Sequence, residues 1–124
     1  MVPLEVTHQA LATEAVVSRL RAANRPVANF AADLFDFFGA MYRENFGFAA
    51  PPVHDPCAVA AVVDPTLVHT HLMRVEIETA GEWTVGRTVC DVHGKLGKEP
   101  NVCVGYALEV ERFWEMVIET LISY

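Results

Sequence analysis

The residues most able to do chemistry are His54 and Asp55, which stand side by side between a proline-rich segment and an apolar run. A histidine titrates near neutral pH and can transfer a proton. A carboxylate can bind a hard cation such as calcium. The same aspartate directly precedes Pro56, so the alternative interpretation is structural: Asp55 as a helix N-cap with proline at the first helical position.

Other candidate sites in the chain are less complete. Calcium takes about six to eight oxygen ligands, and the sequence contains no acidic cluster that could complete a site around Asp55. His69 and His71 would point to the same face of a strand, as a zinc site requires, but no third ligand is near them. Reduced thiols, without CxxC spacing, are expected at Cys57, Cys90 and Cys103.

The element that precedes this pair is predicted to be one long and unusually apolar helix. Pro26 suits its first turn, Gly47 suits its C-terminal cap, and no proline lies between them. Apolar residues occupy two faces at helical spacing. The first face has Val27, Phe30, Leu34, Phe37 and Met41, and the flank has Phe38, Tyr42 and Phe46. Both faces need to be covered.

The remaining elements predict an α/β arrangement. The predicted order is a short strand at 1–6, a helix from Thr13 to before Asn24, the long helix, a short apolar helix at 57–63, strands at 71–78, 83–92 and 102–109, and a closing helix at 110–124. The three strands, with a turn at Ala80-Gly81, are expected to form a small antiparallel meander.

Composition limits the class of protein. The 124 residues predict one domain, 52% of them are hydrophobic, and the formal net charge is −7. An acidic chain without a basic cluster is a poor partner for nucleic acid. Because no apolar stretch is long enough for a membrane helix and no leader opens the chain, we expect no membrane partner and a cytoplasmic location.

Five ordered stretches carry a family resemblance. They are MVPLEVTH at 1–8, PVHDP at 52–56, VEIET at 75–79, GRTVCD at 86–91 and FW at 113–114. Together they resemble the C-terminal part of the nucleoside hydrolases, the inosine-uridine or pyrimidine-preferring ribonucleoside N-hydrolases. The resemblance extends over essentially the whole chain and implies the corresponding part of an α/β fold.

The resemblance also implies an activity and a site. Family members hydrolyse the N-glycosidic bond of ribonucleosides to ribose and free base, a salvage reaction, with a calcium ion that holds the ribose hydroxyls and a water. Asp55 matches a calcium-binding aspartate, and His54 matches the histidine that protonates the departing base. The residues that match positions facing the base are Phe38, Tyr42 and Phe46. Family members form oligomers, so a homo-oligomer is expected.

The chain departs from the family in one respect. It has no DxDxxxDD-like loop, which supplies most calcium ligands and the general base, and no central segment that holds the ribose. We therefore expect residues 1–124 to be one domain that is incomplete relative to the family, inactive when isolated, and either a homo-oligomer or associated with a missing N-terminal part. The alternative is a non-enzymatic interaction or oligomerisation module that uses its apolar helix faces. Purine or pyrimidine preference stays open.

Overall fold

A computed structural model describes residues 1–124 as a mixed arrangement of helices and one small sheet. In chain order the elements are α1 (Leu4–Thr7), α2 (Glu14–Ala22), α3 (Pro26–Phe46), α4 (Asp55–Val63), a 3₁₀ turn (Pro65–Leu67), β1 (Val68–Ile77), β2 (Thr88–Asp91), β3 (Val102–Leu108) and α5 (Val110–Ser123). The predicted mixed class and the order of the long helices are confirmed. None of the helices combines the length and apolar character that a bilayer span requires.

The sheet is antiparallel, as predicted, but it is not a meander. A meander would place β2 in the middle, whereas the observed order is β2-β1-β3. Val75 pairs with Cys90 on one side of β1, and His71 pairs with Val104 on the other. The ten-residue β1 is the longest strand and can pair along different parts of its length with two partners.

Two predicted strands are wrong in part. Residues 83–86 form turns rather than the first half of a strand, and Trp83 is 89% exposed. Gly86 has a φ of 86°, in the left-handed region, and its N–H donates to the Glu78 carbonyl. This positive φ is incompatible with an extended strand and delays β2 until Thr88.

The predicted strand at 1–6 is the second correction, because the chain turns into the short helix α1. The backbone N–H groups of Val6 and Thr7 donate to the Pro3 carbonyl. Only Met1 lies along β3, where its amino group donates to the Cys103 carbonyl and its own carbonyl accepts from the Gly105 N–H. Proline has no N–H for a ladder but suits a helix start.

The core lies between α2, α3, α5 and the inner side of the sheet. Its largest fully buried side chains are Phe113, Leu20, Leu67, Ile118, Val6 and Cys57. The three cysteines are free thiols. Burial raises the pKa of the Cys57 thiol to about 11, because the thiolate loses solvation, so this cysteine is a packing residue.

Helix α3 contacts the core through small residues and the ring of Phe35, which packs on Trp114 at 6.0 Å, and not through its predicted apolar stripe. Ala28, Ala32 and Gly39 are buried, while Phe30 is 64% exposed and Phe37 is 72% exposed. Small side chains let α3 approach its neighbours closely. Apart from Phe35, the aromatic residues of α3 are exposed, pack on one another or line the cleft described below.

Candidate functional site

The segment before α4 fixes the position of His54. Pro51 and Pro52 are buried, and this extended stretch pairs with the chain around Leu11. The N–H of Val53 donates to the Ala10 carbonyl at 3.0 Å. The histidine then occupies the N-cap position of α4, so its backbone is held by both the paired segment and the helix.

Both ring nitrogens of His54 have partners within the chain. Nδ1 lies 2.7 Å from the Thr7 hydroxyl oxygen, and Nε2 lies 3.3 Å from the Tyr42 hydroxyl oxygen. The Thr7 hydroxyl is also 3.4 Å from the Leu4 carbonyl, to which it can donate. When Thr7 donates to Leu4, its oxygen can accept a hydrogen bond from Nδ1–H of the imidazole. A protonated imidazole also carries an N–H on Nε2, and that N–H points toward the Tyr42 hydroxyl. The imidazole is thus held in one orientation, with Nε2 directed toward Tyr42.

A cleft of about 330 Å³ opens beside this histidine. Phe38 and Tyr42 line it from α3, and His54 and Asp55 line it from the start of α4. Phe46 is not part of the lining; its ring packs against Tyr42 at a centroid distance of 5.3 Å. The structure therefore brings four of the five predicted site residues to one cleft and places the fifth behind Tyr42.

Three further residues belong to this neighbourhood, and the sequence did not identify them as site residues. Thr7 is buried and holds His54, as described above. The His8 ring lies 5.6 Å from the His54 ring and 5.1 Å from the Phe48 ring. Phe48 also packs edge-on against Tyr42 at 5.9 Å. In the sequence, only the adjacent polar residues Thr7 and His8 could have indicated this part of the site. The predicted strand at 1–6 gave no reason to place these two residues near His54.

Asp55 is the first residue of α4 and not its N-cap, so the N-cap interpretation is wrong. The side chain is exposed and borders both the His54 cleft and an apolar groove between α4 and α5. No group of three histidine, cysteine, aspartate or glutamate residues is arranged to hold a metal ion. One carboxylate at this place does not by itself fit calcium, which needs several oxygen ligands.

The histidines of the predicted HxH pair have separate partners. Nε2 of His69 contacts a carboxylate oxygen of Glu109. His71 stacks on Tyr106, with ring centroids 4.2 Å apart and planes within 5° of parallel. Neither ring faces the His54 cleft, so this pair belongs to the outer side of the sheet.

Comparison with known proteins identifies relatives of the whole chain. Residues 1–115 match the family model described as inosine-uridine preferring nucleoside hydrolase. The chain is 38% identical to a protein of that name from Crithidia fasciculata and 40% identical to one from Leishmania major, with 98% of this chain aligned in both cases. A pyrimidine-specific ribonucleoside hydrolase from Shewanella woodyi is 38% identical.

Solved structures give the same result. The chain superposes on a purine-preferring ribonucleoside hydrolase from Gardnerella vaginalis with a TM-score of 0.83 and 31% identity, and a plant nucleoside hydrolase shares the fold with a TM-score of 0.81. Coverage is 99% of this chain but 39% of the Gardnerella chain. The chain likewise spans 38% of the Crithidia and Leishmania relatives.

Proposed function

Since this chain belongs to the inosine-uridine preferring nucleoside hydrolase family, we propose that it provides the base-protonating side of a ribonucleoside N-glycosidase site. The observation that carries the proposal is the double anchoring of His54. Thr7 holds Nδ1 and leaves Nε2 at the edge of an aromatic cleft, next to the Tyr42 hydroxyl. A fixed imidazole with one ring nitrogen directed into a cleft suits general acid catalysis.

In the proposed reaction, a water oxygen bonds to the anomeric carbon of a ribonucleoside while the bond from that carbon to the base nitrogen breaks. The water gives up one proton to a general base supplied from outside this chain. The bonding electron pair leaves with the base, which then needs a proton. Protonated His54 donates that proton from Nε2, which lies next to the Tyr42 hydroxyl oxygen. Protonation prevents negative charge from building up on the base, and the products are ribose and free base.

The aromatic residues of α3 are proposed to bind the base. Phe38 and Tyr42 line the cleft directly, whereas Phe46 supports the Tyr42 ring. Flat aromatic rings can stack on a nucleobase and exclude water from the leaving group. Relatives are named for inosine-uridine, pyrimidine or purine preference, and the apolar lining is compatible with both base classes.

Asp55 is proposed as one calcium ligand of a complete site. Its exposed carboxylate adjoins the cleft, but the residues of this chain alone do not form a calcium site. Water activation and ribose binding likewise need groups from outside the chain. We therefore expect the isolated chain to be inactive. The proposal includes nucleoside salvage in the cytoplasm and an oligomeric assembly.

A chimera tests the enzymatic role. This chain replaces the matched segment of the Leishmania major relative, and release of free base from inosine and uridine is measured. His54→Ala is expected to reduce the rate by about 100-fold or more. Hydrolysis of a riboside whose leaving group is an acidic phenol is expected to persist, because that group leaves without protonation. Equal loss on both substrates would contradict the role of His54 as a general acid.

An interaction module is the second candidate, and the exposed apolar residues of α3 support it. Single exposed apolar residues are common, but contiguous ones mark interaction surfaces. A chimera without hydrolase activity, together with stable self-association of the isolated chain, would favour this second function.

A further inference from the structure

Four aromatic rings from separate segments close a cycle next to the cleft. The His8 ring lies edge-on to two others, at 5.6 Å from His54 and 5.1 Å from Phe48. The Phe48 ring in turn lies edge-on to Tyr42, at 5.9 Å. The Tyr42 hydroxyl oxygen, 3.3 Å from Nε2 of His54, completes the cycle. Neither His8 nor Phe48 lines the cleft, so these two rings can affect a bound ligand only through His54 and Tyr42.

The backbone places His8 and Phe48 just beyond the ends of two helices. His8 follows α1, and its N–H donates to the Leu4 carbonyl at 2.8 Å. Gly47 ends α3 with a φ of 71°, a left-handed conformation that glycine adopts without strain. The chain turns there, so that Phe48 packs back on Tyr42 of α3. The cycle therefore links the ends of α1 and α3 to the start of α4.

The orientation of His54 depends on the position of Tyr42. Thr7 holds Nδ1, and the Tyr42 hydroxyl is the partner of Nε2. A distance of 3.3 Å is long for a hydrogen bond, so a small displacement of the tyrosine ring breaks this contact. Tyr42 makes no second side-chain hydrogen bond that could hold it. Its position therefore rests on packing against the rings of Phe46 and Phe48.

We propose that His8 is a positioning residue for His54. Its ring contacts the His54 imidazole directly and supports Tyr42 through Phe48, so it steadies both partners of the hydrogen bond at Nε2. The positioning itself is a matter of ring contacts, whereas its consequence for catalysis rests on the proposed function of His54 as a general acid. Because a general acid must lie within hydrogen-bond reach of the leaving group, loss of this support lowers the rate of the chemical step.

The exposure of His8 separates positioning from core packing. Substitutions of exposed residues change the free energy of unfolding little. Variants of His8 should therefore keep the fold and the melting temperature of the chain, and a change at His54 then reports the local ring contact. His8→Ala removes that contact, whereas His8→Phe keeps a flat ring in the same place.

NMR of this chain alone is the first measurement. In the parent we expect nuclear Overhauser contacts between the rings of His54 and Tyr42. His8→Ala should weaken these contacts about twofold or more, because the imidazole becomes mobile, and His8→Phe should restore them. The control is His93→Ala, on the exposed turn after β2 and away from the cleft, which should leave the His54 signals unchanged. Unchanged contacts in His8→Ala, or equal losses in His8→Ala and His8→Phe, would overturn the inference.

Steady-state kinetics of the chimera described above is the second measurement. His8→Ala should lower kcat for inosine about tenfold and leave KM within about twofold of the parent, because the general acid is displaced while base binding is kept. His8→Phe should retain most of kcat, and hydrolysis of the riboside with an acidic phenol leaving group should be unaffected in both variants.

The kinetic outcomes separate this inference from the proposed function. An unchanged kcat for inosine in His8→Ala would overturn the positioning role. An inactive chimera in which His8→Ala still weakens the contacts between His54 and Tyr42 would refute the proposed function alone, since the ring contact would be present without the reaction.

Discussion

Thr7 and His54 are 47 residues apart in sequence, and the Thr7 hydroxyl oxygen lies 2.7 Å from Nδ1 of the imidazole. Thr7 is buried at the end of α1, whereas His54 stands at the start of α4. The contact joins two helix termini and leaves Nε2 next to the Tyr42 hydroxyl in the cleft. It explains how a half-buried histidine keeps one orientation without a carboxylate partner.

Thr7→Val tests this contact. Valine has the shape of threonine but cannot accept or donate a hydrogen bond, so Nδ1 loses its partner and unfolding should become easier by about 1 kcal/mol. Nitrogen NMR of the His54 ring should show a changed tautomer population, and the chimera should lose kcat with little change in KM. The control is Thr70→Val, at an exposed position of β1, which should leave the His54 ring spectrum unchanged. An unchanged ring spectrum in Thr7→Val would refute the role of Thr7 in positioning His54.

Two substitutions of Tyr42 distinguish the contribution of stacking to base binding from that of hydrogen bonding in the cleft. Tyr42→Ala removes the ring that lines the cleft and should raise KM for inosine and uridine in the chimera about tenfold. Tyr42→Phe keeps the ring and should stay within about threefold of the parent, because apolar contact carries most base binding. Phe46→Ala should have a smaller effect than Tyr42→Ala, since Phe46 packs behind the ring. The opposite order would contradict the assigned lining.

Asp91 should make stability depend on acid pH. Its two carboxylate oxygens accept from the backbone N–H groups of Lys95 and Leu96 at 2.7 and 2.8 Å. These bonds favour the ionised form and lower the pKa of Asp91 below its ordinary 3.8. Because the folded state releases this proton more readily, the stabilisation is present above pH 3.8 and is lost as pH falls through the lowered folded pKa.

Urea unfolding of Asp91→Asn measures this effect. The variant should be less stable than the parent at pH 7, and the difference should shrink at pH 3. Glu82→Gln, on the exposed loop before β2, is the control and should change little at either pH. A difference for Asp91→Asn that is the same at both pH values would show that the carboxylate charge contributes nothing.

Two glycines should respond to alanine with opposite signs. A Cβ on Gly105 would lie 2.8 Å from Val68 Cγ1 and 3.1 Å from Val6 Cγ2, so Gly105→Ala should destabilise the protein by about 1–3 kcal/mol. At Gly39, inside α3, the nearest atom is 3.4 Å away. Gly39→Ala should therefore stabilise the helix by about 0.5–1 kcal/mol. Thermal unfolding distinguishes the two, and destabilisation of both would mean that α3 packs too closely for a methyl group.

Local patterns predicted the helices well and the strands less well. Pro26 and Gly47 mark the ends of α3 in the sequence, and α3 runs from Pro26 to Phe46 with Gly47 in the left-handed conformation. These signals act within one helical turn. Strand pairing has no such local marker, so neither the central place of β1 nor the loss of residues 83–87 from β2 could be predicted.

The candidate site could likewise be predicted only in part from the sequence. The sequence alone determined the adjacent pair His54-Asp55, the four-residue spacing of the α3 aromatics and the family to which the pair belongs. Tertiary structure decided that Thr7 anchors the histidine, that His8 and Phe48 join the cluster, and that Phe46 lies behind Tyr42.

The physical reason lies in distance along the chain. Spacing on one helix follows from its pitch and can be counted from the sequence. The contact between Thr7 and His54 needs α1 to form where a strand was expected and the proline-rich segment to pair beside Leu11. Such contacts depend on the packing of the whole chain, so the sequence determined which residues were available and the fold decided which of them meet.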